Sequence, residues 1–219
     1  MKKTSMLSIL LLAFIFLNIF SSNDEYAVEI YAAEQPNEIV KRDANNNISE
    51  VIVKEFFSNG QVSKQYRYFG GTNLKSDVLV YNQYERKEFD SNGNVVVVAL
   101  YQNFYSDAGK QTIRIEYTKN TITNNRIVKS VSTKTDGATN LKSQQEVINY
   151  NNNGLRQERK VTKYSEGNPV SKTIYTYNRQ GQLKSNNNGN AYRKVTNLET
   201  NTTKNYQYNS AGKAARIKG

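Results

Sequence analysis

The sequence predicts an all-β fold: an antiparallel meander of about eleven strands, built from repeated hairpins at a spacing of about 15 residues, in a twisted single-layer or rolled sheet. Three observations predict it. An aromatic residue stands four positions before a glycine six times, at Phe56-Gly60, Phe89-Gly93, Tyr105-Gly109, Tyr150-Gly154, Tyr177-Gly181 and Tyr208-Gly212. Between these points lie runs of about 8–12 residues, nearly free of Gly and Pro and rich in Val, Ile, Thr and Tyr, such as ISEVIVKEFF and VSKTIYTY. No amphipathic helical period competes once the first 33 residues are set aside.

The chain opens MKKTSMLSILLLAFIFLNIFSS. Lys2 and Lys3 precede an apolar run over 6–20, which reads as the helix of a secretory signal peptide spanning residues 1–33, cut near Ala32-Ala33 or, in a second option, after Ser22. A single-pass anchor needs about 20 apolar residues, more than this run supplies. Residues 34–47 are expected as an N-terminal linker. It ends in RDANNNI, where Arg42 fills the aromatic slot and Asn46 the glycine slot; asparagine tolerates positive φ next best after glycine.

A β-repeat domain is expected over 48–219. The six glycines lie 33, 16, 45, 27 and 31 residues apart, close to multiples of one unit. The missing turns then fall at 70–73 with Asp77, Asn124-Asn125, Asp136-Gly137, Gly167-Asn168-Pro169 and 197–201, all of which carry turn residues. In each turn the aromatic should end a strand and pack beside its cross-strand neighbour. The Asn, Asp or Ser that follows bonds its own backbone, and the glycine takes the left-handed position that closes a short loop. Residues 95–100 are apolar on both faces and are expected to be central and covered. LRQERKVTKY has a single β-branched aliphatic, Val161, so the sheet should be better packed over 48–118 and thin to one layer from 119 on. Closure into a barrel is the alternative; it would remove both edges, but the polar C-terminal strands offer little to fill an interior.

Composition narrows the chemistry. The chain has no Cys, His or Trp. Disulfides, Cys lipidation, Cys–His and Ser–His–Asp nucleophiles and nearly every zinc site are thereby removed. No catalytic residue, metal ligand or cofactor is expected. A paired-carboxylate hydrolase needs two acids flanking a substrate, whereas most acids here stand beside Lys or Arg, as in Glu158-Arg159-Lys160. DANNNISE, residues 43–50, has Ile48 and Lys54 where an EF-hand loop requires Gly and Glu.

The formal net charge is +11, and about +12 without residues 1–33, where Lys2 and Lys3 face Asp24, Glu25 and Glu29. Such a field attracts anionic partners; it also keeps a long β-surface soluble and blunts its edges. RQERKVTKY interleaves basic and aromatic residues most densely. Alternation puts Arg159 and Lys163 on one face around Val161, and Arg156 and Lys160 on the other with Tyr164. The candidate anion-binding set is Arg156, Arg159, Lys160, Lys163, Lys172, Arg193 and Lys194, with Lys184 and Lys204 nearby.

YTYNRQGQLK and NYQYNSAGKAARI resemble the YD repeat of RHS-type and wall-associated polymorphic toxin proteins, whose pattern runs Y-x-Y-D-x-x-G-x-L. Tyr175, Tyr177, Gly181 and Leu183 match one copy; Tyr206, Tyr208, Gly212 and Ala214 match another. Asn178 and Asn209 replace the Asp, and the other turns match at the aromatic and glycine alone. The resemblance implies a spiralling β-shell of binding or packaging material without catalytic residues; about 186 residues after the leader are too few to enclose a toxin domain. The same segments resemble MORN-like hairpin repeats, without their second glycine. The expected function is therefore a secreted, extracellular, non-enzymatic protein, with cell-wall association as an option, that binds an anionic cell-wall polymer or glycan, or a protein partner. The alternative is an effector or immunity-type component of an RHS-like toxin system. Nucleic acid is not the expected ligand, since no recognised binding motif is present, and no membrane span is expected after the leader.

Overall fold

The computed structural model describes residues 29–31, 37–69, 73–75, 78–106, 109–187 and 189–217. Most of the expected signal peptide, its helix included, lies outside the described residues. No helix among those described is long and apolar enough to cross a membrane. Sixteen strands follow one another among the described residues. They are β1 (Glu29–Tyr31), β2 (Glu38–Arg42), β3 (Ile48–Phe56), β4 (Val62–Phe69), β5 (Asn73–Lys75), β6 (Val78–Val80), β7 (Gln83–Phe89) and β8 (Val95–Ser106). Then come β9 (Gly109–Thr123), β10 (Arg126–Thr135), β11 (Lys142–Tyr150), β12 (Arg156–Ser165), β13 (Asn168–Thr176), β14 (Tyr192–Asn197), β15 (Thr202–Tyr208) and β16 (Ala214–Ile217).

Thirteen strands make one antiparallel sheet in strict chain order, from β2, β3 and β4 through β7 and β8 to β16. The sheet is open, with β2 and β16 at its edges, so the barrel alternative does not occur. β1, β6 and β5 form a separate three-stranded sheet; β5 and β6 lie within the β4–β7 connection. The main sheet starts at Glu38 rather than at 48, because β2 pairs with β3 inside the stretch expected as a linker, Val40 opposite Val51.

The core sits at the N-terminal end. Ile48, Val51 and Tyr68 are buried, with Val40, Val53, Tyr66, Tyr81 and Tyr84 packed around them. Register places Val40, Val51, Tyr68, Tyr84 and Tyr101 in one row across β2, β3, β4, β7 and β8. The Tyr84 and Tyr101 rings stack with centroids 4.5 Å apart, and Tyr81, from the β6–β7 connection, caps Tyr68 edge-on at 4.9 Å. Burial pushes the Tyr68 hydroxyl well above the usual phenol range, so it stays neutral. On the other face Glu50 is buried between Lys41, at 2.6 Å, and Arg67. Burial raises its pKa, but the two cations outweigh that and hold it below the usual carboxylate range.

Among the described residues, eight of the twelve that are buried fall within 48–118, so the sheet thins toward its C-terminal half as the sequence predicts. Residues 95–100 are the exception to expectation. Val97 and Ala99 are buried, while Val96, Val98 and Leu100 are half-buried. The strand is central, and its two faces are unequally buried.

Strand direction alternates along a meander, so successive turns fall on opposite margins of the sheet. Gly60, Gly93, Gly154, Gly181 and Gly212 all lie on one margin, in turns that follow β3, β7, β11, β13 and β15, and all have φ between 72° and 82°. The margin's remaining turn is Asn124-Asn125, both at positive φ, as a two-residue hairpin demands. Gly109 differs: it opens β9 on the opposite margin, paired with Ser106. The spacing of about 15 residues is thus the strand period, and the aromatic–glycine turn recurs every second strand. Asn46, standing in for glycine, adopts φ 65°.

Candidate anion-binding face

Turn chemistry fixes the register on which the site depends. At Asn151 the side-chain Oδ1 accepts the backbone N–H of Asn153 and of Leu155, each at 2.9 Å. Asp43, Asp90, Asn178 and Asn209 do the same for the residues two and four positions on. The residue three positions on, a glycine or Asn46, donates its N–H back to the Asx carbonyl. After Asp43, Asp90, Asn151 and Asn209 the next strand begins five residues past the Asx, whereas after Asn178 the chain runs on irregularly until β14 begins at Tyr192. Phe57 lacks such an oxygen, and Asn59 Oδ1 accepts from Gln61 instead, at 3.1 Å. Neighbouring turns of this margin are also tied together. Asn94 Nδ2 donates to Asn125 Oδ1 at 3.3 Å, Arg126 Nη1 to the Asn152 carbonyl at 2.6 Å, and the Ser185 amide to the Asn209 carbonyl at 3.2 Å.

Directly paired residues share a face of the sheet. Register therefore divides the predicted basic set. Arg159, Lys163 and Arg193 lie on one face; Lys160, Lys172 and Lys194 lie on the other. Arg156 is exposed and sits beyond a register shift, opposite Tyr150. Arg159 Nη2 pairs with Glu146 at 2.7 Å, and Lys160 Nζ with Glu158 at 2.8 Å. Lys163, Lys172, Arg193 and Lys194 form no ion pair with the described residues. Arg193 lies 4.2 Å above the Tyr206 ring, and its buried Nε has no hydrogen-bond partner. Arg159 lies 5.3 Å from the Tyr175 ring centroid.

The charge is uneven along the chain. Residues 161–219 hold ten Lys and Arg against Glu166 and Glu199, a net +8; residues 37–160 hold eighteen against thirteen acids, a net +5. Every ion pair among the described residues involves residues up to Lys160 and none after it. Sequence reasoning found Arg193 but missed that Tyr175 and Tyr206 flank it and that Arg216 lies beyond Tyr206, because only pairing register brings β13, β14, β15 and β16 residues into one row.

The hollows in the surface offer little for chemistry. One of about 560 Å³ is lined by Arg126, Ile127, Tyr150, Asn153 and Gly154, without a carboxylate. A second, of about 140 Å³, brings Glu116 and Glu146 together. Both are engaged: Glu116 by Lys134 at 2.6 Å, and Glu146 by Arg159. Among the described residues no group of three His, Cys, Asp or Glu could hold a metal ion.

No family model matches the chain, and no curated protein matches it. Among solved structures it is similar to a protein of unknown function from Bacteroides fragilis NCTC 9343, at 16% sequence identity and a TM-score of 0.31, over 62% of this chain and 91% of that one.

Proposed function

We propose that the protein is a non-enzymatic, extracellular binding protein that holds an anionic polymer of the cell envelope on its C-terminal β-surface. The observation that carries this reading is the block of basic residues after Lys160 that have no carboxylate partner among the described residues, displayed on a single open layer. A solvated charge with no internal partner keeps its full attraction for an external anion, and several on one surface add their fields. Retention on isolated cell walls should fall steeply as salt rises from about 0.05 to 0.5 M, because screening shortens the reach of each charge. Retention that ignores salt, or no retention at low salt, would overturn the proposal. A second reading, a component of an RHS-like toxin system, draws on the YTYNRQGQLK segment, in which Gly181 closes the turn that follows Tyr175 and Tyr177. It predicts growth inhibition or protection when the chain is expressed, and loses its ground if expression has neither effect.

A further inference from the structure

Pairing register lines up Arg159 on β12, Tyr175 on β13, Arg193 on β14, Tyr206 on β15 and Arg216 on β16. Guanidinium and phenol therefore alternate along one face, across five consecutive strands. Neighbouring strands lie about 4.8 Å apart, so the three guanidiniums recur about every 10 Å along the row. The tyrosines act as holders: Arg159 and Arg193 each lie over the ring on the next strand, at 5.3 and 4.2 Å from its centroid. A fork held against a ring loses less freedom when it binds an anion. The three arginines are not equally occupied. Arg159 already gives a hydrogen bond to Glu146, whereas among the described residues Arg193 and Arg216 have no carboxylate partner, and Arg216 is exposed.

We infer that this row is a track for an anionic polysaccharide whose charged sugar recurs at every second residue, lying across the strands with its acid groups at Arg193 and Arg216 and its neutral sugars spanning the strands between. The inference rests on the anionic-polymer reading above and gives it a site and a ligand class. The interval of two strands, about 10 Å, is the repeat that the charges of such a ligand must match. Duplex nucleic acid fits less well, since each of its strands carries one phosphate per about 3.4 Å of helix axis, roughly three to each interval of about 10 Å between arginines. The opposite face has no such row: there Lys160, Ile174 and Lys194 follow one another, and Lys160 is paired with Glu158.

Binding of the full chain is compared on hyaluronan, with a carboxylate on every second sugar, on polygalacturonate, with one on every sugar, and on polyphosphate and duplex DNA, all at equal charge concentration and physiological salt. Hyaluronan should bind tightest. The double variant R193Q/R216Q should weaken that binding about tenfold or more, the scale of a lost charge-assisted hydrogen bond. K172Q/K194Q removes the same charge from the opposite face and should change it about twofold or less, a loss of general field alone. R193K keeps the charge without the fork and should weaken binding as R193Q does. Thermal melts check that each variant is folded; R216Q, at the exposed edge strand, reads the effect even if Arg193 proves necessary for folding. The track is overturned if both double variants lose equally, or if polygalacturonate, polyphosphate or DNA binds as tightly as hyaluronan. If the native chain binds none of the four polymers, the track is overturned, and retention on isolated cell walls at low salt decides the broader reading separately.

Discussion

Asn178 is only 4% exposed and uses both ends of its amide. Its Oδ1 accepts from the Gln180 and Gln182 amides, and its Nδ2 donates to the Lys184 carbonyl at 3.0 Å and to Asn186 Oδ1 at 3.4 Å. Asn209 occupies the same slot one repeat later, is exposed, and gives only its Oδ1 to the turn. The two should respond differently to the aspartate of the YD pattern. Asn178→Asp sets a carboxylate oxygen against a carbonyl and should cost about 1–3 kcal/mol, the scale of a buried unsatisfied group. Asn209→Asp should stay within about 0.5 kcal/mol. Urea midpoints of the two variants test this, and equal midpoints would refute it. A second residue-scale prediction concerns Gly137, where an added Cβ would lie 2.0 Å from Phe104 Cζ. Gly137→Ala should therefore lower stability by about 1–3 kcal/mol through overpacking, read from the same urea titration. That Gly137 belongs to a turn is legible in Asp136-Gly137. That a phenylalanine from β8 packs on it is not, because β9 stands between β8 and β10 in the sheet and only the three-dimensional arrangement brings Phe104 to the β10–β11 turn.

The hairpin corners divide into those led by aspartate and those led by asparagine, and only the first kind titrates. The Asn47 amide, with smaller help from Asn45, holds the Asp43 carboxyl below its usual range. The Asn94 side chain and amide do so for Asp90, and the Thr139 amide and hydroxyl for Asp136. A carboxyl whose folded pKa is depressed stabilises fully above its unfolded value, about 3.9, and that contribution is lost as pH falls through the folded value. Corners at 43–47, 90–94 and 136–141 should therefore loosen below about pH 4, while those at 151–155, 178–182 and 209–213 do not respond. Amide exchange at Asn94 and Thr139 against Leu155 and Lys213 measures the difference; parallel loss at all four sites would contradict the account. Most corners were legible in the sequence through their glycines, but the stronger signal is the Asx three places earlier, whose oxygen organises the loop. The aromatic is a weaker guide: Phe56 is 50% exposed while Tyr208 is buried. The candidate site was legible as a set of cations. Alternation already separated Arg159 and Lys163 from Lys160 within β12, but which of them Lys172, Arg193 and Lys194 join needed the pairing of β12, β13 and β14.

Pairing in strict chain order makes the molecule nearly one-dimensional, each strand supported by its two neighbours. Stability in such arrays is roughly a sum of local and nearest-neighbour contributions. The tyrosine-rich core stands at the β3, β4 and β7 end, and the C-terminal strands are stitched mainly by backbone bonds and cross-strand Arg–Tyr contacts. Native-state exchange should accordingly show the strongest protection in β3, β4, β7 and β8, and weaker protection in β12 to β16. Equal protection throughout would mean one cooperative unit and would defeat this prediction. The meander and its thinning were predictable from the falling aliphatic content. The small β1, β6 and β5 sheet was not, since three-residue strands leave no periodic trace. The placement of five glycine corners on a single margin has one more outcome. Adding or losing one strand would transfer every later corner to the other rim and break the ties that link it to its neighbours, whereas a change by two leaves that seam in place. Growth or shrinkage of this chain that preserves its stitched rim must therefore proceed in even steps.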